Sequence, residues 1–417
     1  MEKLANTLGN TAYLAIYRGS DQIGGTCIEI KQGTTRILFD CGLPLEGTQG
    51  EPCRPKISGL YKEDTPDIKA IFITHAHPDH YGLLSEVHPQ IPIYLTQTAF
   101  NIITELSPLV KPNNIGGLNF KIIKNGQTIK INSLNIKAVG TDHSAPDSSA
   151  YIIKAGSKTV VYSGDIRRNG RIAFKTDDFI KQSKNADYLI LEGTALSRKS
   201  KTSASEENIS LKLTRQFEQN KINLIAFSSQ NLERFISVYK AARTVNKILV
   251  IDPYTAAAME YFKCLGINIP QYNWRNIRIL FPPNKQTNLL RDKLKKYAVR
   301  KISLDEIISA PQKYILKANF YLMKKLFKHT KNVNLIHSMW KGYLTQENIF
   351  VKYAKQNNIK IKQIHTSGHA DTKTLQYIAA EISPEKIIPI HTQHPEKYES
   401  LFGDKIVFVA DNTTVII

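Results

Sequence analysis

Long apolar runs are missing from this 417-residue sequence, so no membrane-spanning helix is expected. The amino terminus has no apolar signal core followed by a cleavage site, which makes the cytoplasm the expected location. Cysteine is scarce and shows no CxxC spacing, so structural disulfides are not expected. The four cysteines are Cys27, Cys41, Cys53 and Cys264.

Acidic residues are scarce in one central segment, 196–355, which gives the chain most of its net charge of +20. The segment contains 29 Lys and Arg residues against 10 Asp and Glu residues, a balance of +19. The rest of the chain contains 27 basic and 26 acidic residues, a balance of +1. A lysine-rich genome would spread such a bias over the whole chain, so the segment favours a polyanionic partner.

Metal-binding side chains are concentrated in the stretch Thr74–Gly82, at His75, His77, Asp79 and His80. The mostly apolar run Ile68–Ile73 before them predicts a buried strand. Pro78 and Asp79 favour the first turn of a helix, predicted over about 79–87. On such a strand-to-helix turn the first two ligands point one way and the last two another, a layout for two adjacent metal ions. The alternative is a set of surface histidines, but this density of imidazole and carboxylate suits zinc-type ions.

The HxHxDH spacing of this stretch resembles the signature of the metallo-β-lactamase superfamily. Asp40, which directly follows the strand-like run Thr35–Phe39, resembles the first motif and suits a role in holding a ligand histidine by a hydrogen bond. His143 follows a predicted strand and resembles the third motif. Asp165 resembles the fourth motif, whose carboxylate bridges two metal ions.

Three further motifs resemble the β-CASP branch of that superfamily, whose members process nucleic acids. Glu192 at the end of a predicted parallel strand resembles motif A, Ser367-Gly368-His369 resembles motif B, and Pro389-Ile390-His391 resembles motif C. The loop around His143 also resembles that of ribonuclease J proteins. The resemblance implies an αββα sandwich with an inserted α/β β-CASP domain. The predicted segments are 1–195 and 356–417 for the metallo-β-lactamase domain and 196–355 for the insert.

Two departures from ribonuclease J proteins are visible. Those proteins continue motif C with Gly-Glu, whereas this chain has Thr392-Gln393. They also carry a further carboxy-terminal domain, whereas this sequence reaches Ile417 soon after its last predicted strands. The resemblance is therefore expected to cover the catalytic core.

The resemblance implies phosphodiester hydrolysis by two zinc ions, with manganese as the second compatible metal. The implied first metal takes His75, His77 and His143, and the implied second takes Asp79, His80 and His391. Asp165 bridges the two. His369, next to Glu192, would donate a proton or steady the transition-state charge. The implied catalytic residues are Asp40, Asp79, Glu192 and His369.

The expected partner is single-stranded RNA, and a second copy of the chain is the other expected partner, as a homodimer. Substrate phosphates are expected at the start of a helix and in the motif B loop. The residues concerned are Ser228, Ser229, His365, Ser367 and Gly368. In the loop His337–Tyr343, the side chain of Trp340 could offer a ring to a base, but core packing is the simpler expectation.

Four functions remain open on these residues. A β-CASP ribonuclease, cutting internally or from an end, fits best. A DNA-directed nuclease of the same branch competes, because no residue clearly reads a 2′-hydroxyl group. A small-molecule metallohydrolase such as a thiolesterase is opposed by the basic segment and by His369. A catalytically silent RNA-binding module is opposed by the complete ligand set.

Local patterns also predict particular pairings. The runs Ala150–Lys154 and Thr159–Tyr162 predict a hairpin around Ala155-Gly156. A single strand is predicted over 129–139, preceded by a hairpin turn at Asn125-Gly126. Alternation of helix and strand between 207 and 265 predicts a parallel sheet covered by helices.

Overall fold

A computed structural model describes residues 11–45, 54–110, 113–198, 203–219, 221–281 and 291–417. The chain folds into two compact units. The first contains 1–104, 113–203 and 368–417, and the second contains 105–112 and 204–367.

The strands are numbered in chain order. Their bounds are β1 Ala12–Arg18, β2 Cys27–Gln32, β3 Thr35–Phe39, β4 Ala70–Phe72, β5 Pro92–Thr96, β6 Asn119–Ile123, β7 Thr128–Ile131, β8 Leu134–Gly140, β9 Ser149–Ala155, β10 Lys158–Tyr162, β11 Tyr188–Glu192, β12 Ile222–Ala226, β13 Ile248–Ile251, β14 Ile277–Ile279, β15 Tyr314–Lys317, β16 Val333–His337, β17 Ile361–Gln363, β18 Lys386–Ile390 and β19 Thr413–Ile416.

The α-helices are numbered in the same way. Their bounds are α1 Pro78–Tyr81, α2 Gln97–Asn101, α3 Ala173–Gln182, α4 Glu206–Phe217, α5 Leu232–Thr244, α6 Pro253–Tyr261, α7 Arg291–Leu294, α8 Leu304–Ser309, α9 Phe320–His329, α10 Ile349–Gln356, α11 Thr372–Ile382 and α12 Lys397–Phe402.

The first unit is a sandwich of two sheets. One sheet has the order β19-β1-β2-β3-β4-β5-β6 and the other has the order β18-β11-β10-β9-β8-β7. Alternate residues of facing strands, such as Leu14 and Ile16 in β1 and Tyr151 and Ile153 in β9, meet in one buried core. This period of two places one face of each sheet inside the sandwich. The predicted αββα architecture is confirmed.

Helices cover the outer face of the second sheet. Residues of α3, α11 and α12, among them Phe179, Leu375 and Tyr398, pack with Leu189 and Leu191 of β11 in a second buried cluster. The alternation on β11 therefore serves two cores, with Ile190 in one and its neighbours in the other. This double burial explains the continuous apolar run that the sequence shows before Glu192.

The second unit contains a wholly parallel sheet in the order β14-β13-β15-β12-β16-β17. The parallel sheet predicted from helix–strand alternation is thereby confirmed. Strand β17 pairs with β16 in this sheet. Segment 356–367, predicted to return to the first domain, therefore lies in the second unit.

The hairpin of β9 and β10 is confirmed by antiparallel pairing, but two neighbouring predictions are wrong. Residues 129–139 form two strands, β7 and β8, that pair with each other across a turn at Asn132 (φ +52°). The turn at Asn125-Gly126 connects the two sheets, because β6 pairs with β5 while β7 pairs with β8. Asn-Gly accepts a tight turn without specifying which strand comes next.

The helix predicted over 79–87 is also shorter than expected. Helix α1 ends at Tyr81, and a separate 3₁₀ turn follows at Leu84–Glu86. Pro78 stands in the first turn of α1 as predicted.

The predictions about membrane-spanning helices and disulfides can be compared with the described residues. No described helix combines the length and apolar character that crossing a membrane requires. Cys27, Cys41 and Cys264 are free thiols. Cys53 lies outside the described residues.

Candidate metal centre

The motif residues of the first unit follow the carboxyl ends of its strands. Strands β3, β4 and β5 run parallel, and so do β10, β11 and β18. Strand β8 has the direction of β10, because both pair antiparallel with β9. These ends meet at one edge of the sandwich, which is where side chains from distant parts of the chain converge.

Two ligand groups of the first unit share one edge of the sandwich. Three sets of the described residues could hold a metal ion. One of them, Asp165, Glu192, His369 and His391, shares residues with the other two. His75, His77, His143 and Asp165 form the first ligand group, and Asp79, His80 and His391 form the second. These are the two sets implied by the sequence. Within each group the candidate ligand atoms lie within 4.8 Å of one another, close enough for a single ion to meet all of them.

Asp165 lies between the two groups. Its Oδ2 is 3.6 Å from Nε2 of His75 and 3.4 Å from Nε2 of His80, one member of each group. Its Oδ1 is 3.5 Å from Nδ1 of His391. The carboxylate thus faces both groups, as the predicted bridging role requires.

Unpartnered buried atoms show that the residues fit metal ions. His80 Nε2 and Asp165 Oδ1 are buried with no hydrogen-bond partner within the described structure. Leaving such atoms without a partner is costly in a protein interior. His80 Nδ1 donates to Asp40 Oδ2 at 2.7 Å, because a carboxylate only accepts. The Nε2 lone pair therefore faces the ligand groups, as in metal-binding histidines.

Burial and charge divide the histidines into two kinds. Burial lowers the pKa of His75, His77 and His143, which favours the neutral imidazole that binds metals. Burial also acts on His80, but the charges of Asp165 and Asp40 outweigh it and hold its pKa well above the usual value. A metal ion at Nε2 would take the place of the proton that these carboxylates favour.

The carboxylates of the centre stay ionised. Burial raises the pKa of Asp79 and Asp165, but neighbouring histidines outweigh it and hold both values below the usual range. For Asp79 the largest opposing effect is the contact with His391, whose Nε2 lies 3.2 Å from Oδ2. Ionised oxygens are the form that a metal ion requires.

Asp40 is joined to the ligand loop by several contacts. Its carboxylate accepts from Thr74 N (2.8 Å) and Tyr162 OH (2.7 Å) as well as from His80. The next residues lie against α1, where Cys41 N donates to His80 O at 2.7 Å. A side chain at Gly42 would overlap the backbone of Asp79, so only glycine permits this approach.

Two site residues have left-handed backbone conformations. Asp40 has φ +59° and His391 has φ +51°. For residues with side chains this region costs on the order of 1–3 kcal/mol and is typical of functional sites. Glycine would relieve the strain, but it would remove the carboxylate or the imidazole.

His369 and Glu192 lie beside the ligand groups. His369 Nδ1 is 3.3 Å from Glu192 Oε1 and 3.6 Å from Asp165 Oδ2. Glu192 Oε2 accepts from Thr194 N at 2.9 Å. Burial raises the pKa of Glu192, but the charge of His369 outweighs it, so the pKa is lowered. The predicted proximity of the two residues is present.

Several residues that position the ligands were not predicted. Thr194 Oγ1 is 2.8 Å from Nδ1 of His391, and Thr74 Oγ1 is 3.0 Å from Nδ1 of His75. Thr74 directly precedes His75, and Thr194 lies two positions after Glu192. This proximity to a motif could have identified both residues from the sequence. The buried pair of Asp142 and Arg167 (2.9 Å) ties the loop of His143 to that of Asp165. This pair is harder to predict from the sequence, because the two residues are 25 positions apart.

The predicted phosphate-binding residues have different surroundings. In the second unit Ser228 is exposed, whereas Ser229 is buried with its hydroxyl group engaged by Lys317 and Thr255. A direct phosphate contact from Ser229 is therefore not supported. His365 Nδ1 accepts from Arg234 at 3.1 Å, and Ser367 is buried. In the first unit, the carbonyl group of Gly368 accepts from Nδ1 of His143.

Family models match two regions of the chain. Residues 35–220 match the β-lactamase superfamily domain, and residues 357–399 match the Zn-dependent metallo-hydrolase RNA specificity domain. These regions contain the residues of both ligand groups.

Curated relatives resemble nearly the whole chain at low identity. Ribonuclease J of Sinorhizobium meliloti is 23% identical over 381 residues, covering 85% of this chain and 63% of the relative. Ribonuclease J of Helicobacter pylori is 24% identical over 396 residues, covering 90% and 55%. An RNase J-like protein of Methanocaldococcus jannaschii is 22% identical over 421 residues, covering 93% of each chain. The chain thus spans less than two thirds of the length of the two bacterial relatives.

A solved structure shares the fold. The crystal structure of a protein of unknown function from Enterococcus faecalis V583 superposes with a TM-score of 0.78 at 22% identity. The match covers 98% of this chain and all of the other.

Proposed function

Because this chain belongs to the β-CASP branch of the metallo-β-lactamase superfamily, we propose that it is a metal-dependent ribonuclease that hydrolyses RNA phosphodiester bonds. The observation that carries the proposal is the pair of ligand groups facing one carboxylate, Asp165. The match to an RNA specificity domain and the excess charge of segment 196–355 support RNA as the substrate.

His75, His77 and His143 would hold one ion, Asp79, His80 and His391 a second, and Asp165 would contact both. Such ions supply positive charge beside a phosphodiester and a water of lowered pKa. Imidazole with carboxylate suits zinc, and the carboxylates also admit manganese. Asp40 and Thr194 orient the rings of His80 and His391, which fixes the direction of each lone pair.

His369 is the proposed proton donor to the leaving oxygen. Its side chain is 18% exposed, whereas the ligand His75 is fully buried, so His369 lies towards the side that a substrate can reach. The ionised Glu192 contacts Nδ1 of His369 and thereby orients the ring. Ser228, His365, Ser367 and the backbone at Gly368 are the proposed contacts to substrate phosphates.

The function is tested with 5′-labelled RNA and DNA of one sequence, each incubated with zinc, manganese or EDTA. We expect RNA cleavage with either metal and none with EDTA. The product lengths separate internal cutting from cutting at an end. Cleavage of DNA alone would favour the DNA-directed alternative, and hydrolysis of thioesters alone would reject a nuclease.

Replacement of the proposed proton donor should separate catalysis from metal binding. We expect His369→Ala to slow RNA cleavage by about 100-fold or more, because positioned proton transfer contributes roughly 10²–10⁴-fold. The zinc content, measured by mass spectrometry, should stay at the wild-type level. Loss of zinc in this variant would show that His369 is a ligand.

A further inference from the structure

An aromatic pair is exposed on the second unit, in the loop after β16. The side chains of Trp340 and Tyr343 are 52% and 56% exposed, and their rings meet edge to face with centroids 5.5 Å apart. The prediction that Trp340 packs in the core is therefore wrong. An exposed indole beside an exposed phenol ring is unusual for a surface that only meets water.

The loop holds the indole in a defined orientation. A side chain at Gly342 would overlap the benzo edge of Trp340, so the ring lies directly against the glycine. Tyr343 N donates to Trp340 O (3.2 Å), and Leu344 N donates to Lys341 O (2.9 Å), which closes a tight turn. The ring is therefore supported by its own loop rather than by burial in a core.

Buried polar contacts anchor the base of the loop. Ser338 is 2% exposed, and its hydroxyl group donates to Ile364 O at 2.6 Å. Arg234 donates to the carbonyl oxygen of Ser338 at 2.6 Å, and Gln363 donates to Met339 O at 2.7 Å. Such a platform loses little conformational entropy when a ligand binds.

The charge around the pair selects the kind of ligand. The larger segment 196–355, which contains the loop, has an excess of 19 positive charges. Lys341 is exposed between the two aromatic residues. Aromatic rings for stacking, beside cations for a backbone, are the features of sites that bind single-stranded nucleic acid.

We propose that Trp340 and Tyr343 form a stacking platform for an unpaired base of single-stranded RNA, with Lys341 meeting its phosphate. The choice of RNA rests on the proposed function, whereas the platform itself rests on the loop. A second copy of the chain would be a poorer occupant, because each copy has a net charge of +20 and the two copies repel each other.

Tryptophan fluorescence tests the platform directly. The chain has two tryptophans, and the other, Trp274, is only partly exposed and packs edge to face on Tyr239. In Trp274→Phe the signal comes from Trp340 alone. Titration with oligouridylate in EDTA, where no cleavage is expected, should quench this signal. An RNA duplex of the same length should not quench it.

Affinity is measured by anisotropy of fluorescein-labelled oligouridylate, again in EDTA. Trp340→Ala should weaken binding by about five- to 100-fold, as expected for one stacked base. Trp340→Phe should retain most of the affinity. Gly342→Ala, which displaces the indole without removing it, should fall in between. Circular dichroism checks that each variant is folded.

Unchanged affinity in a folded Trp340→Ala variant, or equal quenching by the duplex, would overturn the platform. A fall in molecular mass of the free protein in that variant, with unchanged RNA affinity, would instead mark an interface between copies and also overturn it. Quenching without any RNA cleavage in metal would leave the platform standing while the ribonuclease proposal fails. RNA cleavage in metal, together with unchanged RNA affinity in Trp340→Ala, would support the ribonuclease proposal and overturn the platform.

Discussion

Replacing His77 by alanine should reduce metal-dependent RNA cleavage to the level seen with EDTA. His77 Nδ1 lies 2.9 Å from His75 Nε2 and 3.3 Å from His143 Nε2, so three imidazoles converge on one point. Removing one leaves an incomplete ligand set beside Asp165. We expect a loss of more than about 10⁴-fold, because enzymes accelerate reactions by roughly 10⁶-fold or more. Cleavage of labelled RNA and zinc content are the measurements.

His88→Ala provides the matched control. His88 belongs to the same unit but to none of the candidate metal groups among the described residues, and its ring accepts a hydrogen bond from Gln90 N. Its replacement should leave both zinc content and cleavage near the wild-type values. Full activity in His77→Ala at full metal content would remove this residue from the proposed centre.

Breaking the buried ion pair beside the centre should destabilise the first unit strongly. Arg167 and Asp142 are both fully buried, and Asp142 also accepts from Gly170 N at 2.7 Å. In Arg167→Met the carboxylate of Asp142 would be left buried without its cation. Removing one partner of a buried pair typically costs about 3–5 kcal/mol. Urea unfolding followed by circular dichroism measures the loss.

An exposed ion pair of the same unit serves as the comparison. Lys184 and Glu381 are 3.8 Å apart with side chains 54% and 45% exposed. Lys184→Met should leave stability almost unchanged, because solvent screens such pairs. Equal effects of the two substitutions would contradict a special contribution from the buried pair. Since Arg167 follows Asp165 closely, we also expect Arg167→Met to lower the zinc affinity.

Much of the candidate centre could be predicted from the sequence because its candidate ligands follow local rules. The four candidate ligands of Thr74–Gly82 lie within six residues, so their spacing alone indicates a metal site. His143, Asp165 and His391 each follow a strand whose apolar run is easy to detect. The carboxyl ends of parallel strands lie at one edge of a sheet, so the sheet brings these three distant residues together although no sequence spacing links them.

Other features depend on contacts that no local pattern records. Asn125-Gly126 has the composition of a hairpin turn, yet the strand after it joins the opposite sheet. The hydroxyl group of Ser229 is engaged by Lys317, which is far away in sequence, so this contact could not be predicted. The exposure of Trp340 could not be predicted from the sequence. The hydrophobicity of tryptophan predicts an interior position, but the backbone turn after Trp340 leaves the side chain exposed.

The left-handed residue His391 belongs to a candidate metal group whose other members lie much earlier in the chain. During translation the imidazoles that follow β4 emerge from the ribosome long before this one. A nascent polypeptide that has not yet reached His391 therefore lacks one member of the second ligand group. Under the proposed function, a growing chain therefore cannot cleave RNA before His391 has been added. The messenger RNA that encodes the protein is not exposed to an active copy from its own ribosome before that point.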